Sequence, residues 1–260
     1  MFYTLSFITL LITAISCYEP APKLLQPNRT EPLEVKNNTL TIDNVMAIPL
    51  PTGYKRQVAI NNSFGKWLQH IGIKNDRRVY HYDGTLKRNQ AAQYAVLDIS
   101  VGNKNLQQCA DAVMRLRAEY LFAEKQYEQI IFIDNEQVKY KFTEPYTRPN
   151  FNKYLDRVFG RCGTASLSKQ LLNSQSQAVT IGDVLIRGGF PGHAVIVVDV
   201  AENEEGQKIY LLAQSYMPAQ DIHILINPTD DYLSPWYAVS NAPYVYTPEY
   251  TFTNREWKTW

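Results

Sequence analysis

Two residues in this chain stand in contexts that could do chemistry together. Cys109 lies in Asn105-Leu106-Gln107-Gln108-Cys109-Ala110-Asp111-Ala112, where the spacing of apolar residues opens a helix. His193 lies in Gly188-Gly189-Phe190-Pro191-Gly192-His193-Ala194-Val195-Ile196-Val197-Val198-Asp199, a glycine loop running into an apolar strand. A thiol attacks only as the thiolate, and an ordinary cysteine at neutral pH is mostly protonated. Unpaired N–H groups at a helix start favour the thiolate, and a neighbouring imidazole can take the proton. Cys109, expected at about the third or fourth helical position, meets the first condition. His193 meets the second if the fold brings its strand against that helix.

A base histidine is commonly oriented through its other ring nitrogen. If 193–200 and 208–216 pair as a hairpin about Glu204-Glu205-Gly206, position 193 falls opposite about 216, and Gln214 shares its face. Gln214 is therefore the candidate third member, although a slip of one residue would send it to the other face. The plain readings compete: Cys109 as an inert core thiol, His193 as a buried histidine bonded to backbone, or Cys109 and Cys162 as a disulfide. The order of Cys on a helix, His on a strand and an amide on the next strand favours chemistry. Gly188, Gly189 and Gly192 leave backbone room for a substrate or for a tight turn.

Other chemistries lack their residues. There is no Gly-x-Ser-x-Gly elbow, no His-Glu-x-x-His helix and no phosphate-binding glycine loop. The remaining histidines are scattered: His70 reads as a helix surface residue, His81 as an exposed strand residue and His223 as a solvated one. Neither a metal site nor a cofactor is expected.

The elements that must position the pair follow from periodicity. Residues 106–125 carry apolar side chains at Leu106, Cys109, Ala110, Val113, Leu116 and Tyr120, one helical stripe, with Asn103 or Asn105 as cap. Ser63 caps a short helix over 63–71, 150–160 and 166–172 read as two more, and 130–134 with 138–142 as a hairpin. Cys162 falls in the loop Arg161-Cys162-Gly163-Thr164. Residues 94–101 read as a strand. From 181 onward the runs 183–186, 193–200, 208–216 and 221–226 are apolar almost throughout, as in strands covered on both faces. The tail carrying Pro228, Pro235, Pro243 and Pro248 reads as ordered coil.

At 260 residues with a formal net charge of +1, the chain offers no basic face for nucleic acid. Residues 5–15 form an apolar run of about 11, short of the roughly 20 that span a bilayer, so 1–17 reads as a secretory signal. Ala14-Ile15-Ser16 before Cys17 resembles a lipobox, making Cys17 the lipidation candidate and the membrane a partner through that lipid; a plain secretory signal is the alternative. Residues 18–38, with Pro20, Pro22, Pro27 and Pro32, read as an extended tether, and 39–260 as a single α+β domain.

The stretches Leu106-Gln107-Gln108-Cys109-Ala110-Asp111-Ala112-Val113-Met114-Arg115, Gly182-Asp183-Val184 through Gly192-His193-Ala194-Val195-Ile196, and Leu211-Leu212-Ala213-Gln214-Ser215-Tyr216-Met217-Pro218 resemble a bacterial family known as domain of unknown function 4846. That resemblance covers nearly everything after about residue 46 and implies an exported bacterial protein without an established activity. Arg161-Cys162-Gly163-Thr164 departs from the Tyr-Ala-Gly-Thr more typical there, which leaves Cys109 as the thiol of interest. More distantly, Gln-Cys-Ala-Asp on a helix and Gly-His-Ala-Val-Ile-Val on a strand are similar to the NlpC-type cell-wall peptidases of the papain-like superfamily.

The expectation is thus an α+β, papain-like domain, its Cys-bearing helix packed on a mainly antiparallel sheet, held in the bacterial envelope by Cys17. Cys109, His193 and Gln214 would hydrolyse amides of peptidoglycan peptides. The rival expectation is a non-catalytic envelope binding or scaffold protein on a hydrolase-like fold.

Overall fold

Continuous apolar sequence makes the centre of this molecule. A computed structural model describes residues 42–260; the expected signal over 1–17, Cys17 and the tether over 18–38 lie outside the described residues. Its elements in chain order are β1 (Lys55–Arg56), α1 (Phe64–Gln69), β2 (Gln93–Val96), α2 (Cys109–Ala123), β3 (Ile131–Ile133), β4 (Lys139–Lys141), α3 (Arg148–Phe159) and α4 (Thr164–Gln170). Then come β5 (Leu172–Asn173), β6 (Val184–Arg187), β7 (His193–Glu202), β8 (Lys208–Gln214), β9 (His223–Leu225), β10 (Tyr237–Ala238), β11 (Tyr244–Tyr246), β12 (Thr251–Thr253) and β13 (Trp257–Thr259).

The fold is α+β around a nine-stranded antiparallel sheet, in the order β2-β9-β8-β7-β6-β13-β5, with β1 added to β7 and β10 to β8. Every residue of β7 but the last is buried, as its unbroken apolar run requires. Ala194, Ile196 and Val198 face one core together with Ala110, Val113 and Met114 of α2, while Val195 and Val197 face a second with Phe252 and Trp257. A bulge between Val197 and Asp199 exchanges the two faces further along. Up to that bulge Ile196 pairs with Ala213 and Val197 with Leu212, the register that carries His193 toward Tyr216 and puts Gln214 on the face of His193.

Several element limits differ from expectation. α2 begins at Cys109, not 106, because the N–H of Gln108 donates to the Asp111 carboxylate (2.9 Å) and closes the helix start there. Asn105, expected as the cap, instead accepts the Ala219 N–H at 2.8 Å and ties the helix approach to the segment after β8. α3 begins before Pro149, with Thr147 as its cap, since proline is tolerated in the first helical turn. The tail is not coil: β10 joins β8, β11 and β12 pair as a hairpin, and β13 inserts between β6 and β5, its prolines lying between these short strands.

Candidate active site

Cys109 is the first residue of α2, so its sulfur lies where the helix has N–H groups without intrahelical acceptors. The N–H groups of Ala110, of Cys109 itself and of Ala194 on β7 all bear on the thiol and favour its thiolate. Burial opposes them and wins, with the Asp111 carboxylate adding to it, and the thiol is pushed up to about 11. Because Ala194 directly follows His193, the thiol and the imidazole flank one peptide unit at the start of β7.

His193 belongs by alternation to the face of Val195, and its ring packs against Tyr216, Tyr250 and Phe252, with centroids 4.8, 5.0 and 5.8 Å away. Since α2 covers the other face, any meeting of thiol and ring is made around the end of the strand. A chain of hydrogen bonds fixes the ring. The Lys87 ammonium donates to Glu249 Oε2 at 2.6 Å, and Gln214 Nε2 donates to the same oxygen at 2.8 Å. That orients the amide so that Gln214 Oε1 faces His193 Nε2, at 2.8 Å. An amide oxygen can only accept, so the proton of the neutral ring is assigned to Nε2 and the lone pair to Nδ1. Nδ1 makes no hydrogen bond to a described residue. Burial pushes the imidazole down to about 4, against the Gln214 hydrogen bond and the Glu249 charge, so the resting pair is neutral thiol and neutral ring.

His223 is fully buried, contrary to the expectation of a solvated residue, because β9 lies inside the sheet between β2 and β8. It stands opposite Gln214, donates from Nδ1 to the Asp221 carbonyl (2.9 Å) and presents Nε2 to Gln214 Nε2 at 3.3 Å. Desolvation pushes it down to about 3. His70 is exposed, as expected, while His81 is half-buried in a bridge to Gln220. Among the described residues no group of side chains could hold a metal ion.

A cleft of about 240 Å³ opens beside Cys109, lined by Gln108, Asp111, Cys162, Gly192, Phe190 and Met217 among others. Phe190 and Met217 are exposed at 95% and 51%, an apolar rim beside the thiol. Cys162 lies in the loop between α3 and α4, as expected, and is a buried residue of this cleft; Cys109 and Cys162 form no disulfide. Burial first, then the Asp134 and Asp111 charges, push Cys162 up to about 11. The glycine loop gives its room to the protein: a Cβ on Gly188 would sit 2.3 Å from Ser168 Oγ, and one on Gly192 2.2 Å from the Gly189 carbonyl. It packs on α4 at these two positions, while Gly189 faces open space and, with Phe190 and Gly192, lines the cleft beside Cys109.

A family model described as Domain of unknown function (4846) matches residues 45–147 and 133–259. The chain belongs to this family. No curated protein and no solved structure matches it. For this member of the domain 4846 family, Lys87 and Glu249 went unnoticed in the sequence, since they lie 162 residues apart and meet only through the hairpin of β11 and β12. Gln107 was missed as well: it is buried, and its Nε2 has no acceptor two residues before Cys109. Only its position in the motif could have drawn notice.

Proposed function

We propose that this protein is a cysteine hydrolase cleaving amide bonds, with Cys109 as nucleophile, His193 as general base and acid, and Gln214 as the residue that orients the ring. What carries the reading is the Lys87–Glu249–Gln214–His193 chain, which sets the imidazole tautomer and leaves Nδ1 as a bare acceptor beside the strand end that meets Cys109.

In the proposed cycle His193 Nδ1 takes the thiol proton as the sulfur attacks the carbonyl carbon. The tetrahedral oxyanion is met by free N–H groups at the start of α2. The C–N bond breaks, His193 returns the proton to the leaving amine, and an acyl thioester remains on Cys109. Water, deprotonated by Nδ1, releases the acid and restores the thiol. The substrate class proposed is peptidoglycan stem peptides, and the setting the bacterial envelope with Cys17 as lipid anchor. Supporting this are the leader-like residues 1–17 and the likeness of the Cys and His motifs to NlpC-type peptidases, together with the Cys-bearing helix packed on an antiparallel sheet.

A second reading has its own observation. Burial holds Cys109 up near 11, where a thiol is inert, which suits a non-catalytic binding or scaffold role. Incubation of the purified protein and of Cys109→Ala with muropeptides, read by mass spectrometry, separates the two. New amine and carboxyl ends from the parent and none from Cys109→Ala are expected; equal product from both would sink the hydrolase reading.

A further inference from the structure

Away from the thiol cleft, about two turns further along α2, Arg117 sits in surroundings that the chemistry of Cys109 does not use. Its guanidinium carbon lies 5.0 Å from the ring centroid of Phe64, 5.4 Å from Tyr120 and 5.3 Å from Trp260, a cage of three aromatic faces. The residue is half-buried, and among the described residues no carboxylate acts on it. Cation–π contact reaches the charge from the ring faces and leaves the planar N–H donors of the fork open to solvent, with no acceptor among the described residues. The indole Nε1 of Trp260, by contrast, is buried without an acceptor. Both residues line one pocket of about 390 Å³, which also receives Phe64 and Ile181. At its mouth stand Val58 and Ile60, exposed at 91% and 81%.

We infer that this pocket binds an aliphatic carboxylate, its head group on the Arg117 guanidinium and its chain along Phe64, Ile181, Val58 and Ile60. A single unpaired guanidinium balances one negative charge, and its fork matches the two oxygens of a carboxylate. A phosphate dianion would bring a second charge for which the pocket lining holds no cation. A neutral chain would cover the apolar wall yet leave the Arg117 donors unmet, which is where discrimination arises.

The test is calorimetric titration of the purified protein with sodium octanoate and, separately, with 1-octanol. Octanoate is expected to bind saturably and about tenfold more tightly than the alcohol, the worth of a charge-assisted hydrogen bond at a half-buried site. Arg117→Met keeps the apolar stem, and should bring octanoate down to the affinity of octanol. Should the loss of the cation from the aromatic cage unfold that variant, Ile60→Glu, at an exposed position, serves instead: it should weaken octanoate more than octanol. Equal affinities for the two probes, no octanoate binding, or undiminished octanoate binding by a folded Arg117→Met or by Ile60→Glu would each overturn the inference.

Discussion

The ring nitrogen that His193 leaves free, which the proposed hydrolysis needs as its base, is chosen by residues far from it in sequence. Gln214 accepts from His193 Nε2 because its own N–H is taken by Glu249, and Glu249 is held by Lys87. Gln214→Ala should therefore lower kcat for amide hydrolysis by about a hundredfold, the cost of a misplaced catalytic group, with KM little changed. An unchanged kcat would show that the ring keeps its orientation without the amide. At this scale the sequence was informative about the types: thiol, imidazole and amide were readable from motif and hairpin register. Lys87 and Glu249 were not, since no local pattern marks two surface-type charges that fold inward as a buried pair. The burial of His223 is hidden for a related reason, as a three-residue strand does not reveal whether it lies at the edge or inside a sheet.

At the scale of elements, the start of α2 governs the thiol. Asp111 closes the helix by accepting from Gln108, yet its Oδ1 is buried without a partner, and burial pushes the carboxyl up to about 8. An acid whose folded value exceeds its unfolded value of 3.8 binds more protons when folded, so its contribution to stability is fully present below pH 3.8 and is lost as pH rises to about 8. Asp111→Asn keeps an oxygen for Gln108 and cannot ionise. Its Tm relative to the parent should accordingly climb across pH 4 to 8 and level off above; parallel Tm curves would show that Asp111 is not desolvated. Sequence alone starts α2 three residues early because the apolar stripe continues through Leu106, and periodicity does not show which hydrogen bond closes a helix start.

The whole molecule brings a helix end and a strand end together by burying β7 between two cores. The sequence made this legible, because the run from His193 to Val200 is too apolar for an edge strand. The closing role of the tail was not, since its strands are two or three residues long, with prolines between all but the last two. β13 completes the sheet, and Trp257 on it is 1% exposed against Tyr210 and Leu185. Trp257→Ala should cost about 3–5 kcal/mol in urea unfolding; a loss below about 1 kcal/mol would mean that the tail is only draped over the sheet.

The proposed assembly of thiol and imidazole around the end of β7 is read most directly by alkylation. The cleft contains its own control, since Cys162 is buried beside Cys109 and pushed equally to about 11. Iodoacetamide labelling at neutral pH, resolved by peptide mass spectrometry, should modify Cys109 about tenfold faster than Cys162 in the parent, through the bare His193 nitrogen and the N–H groups at the sulfur. In His193→Gln the Cys109 rate should fall toward that of Cys162. Equal rates in the parent, or a Cys109 rate untouched by loss of His193, would contradict a Cys109–His193 dyad.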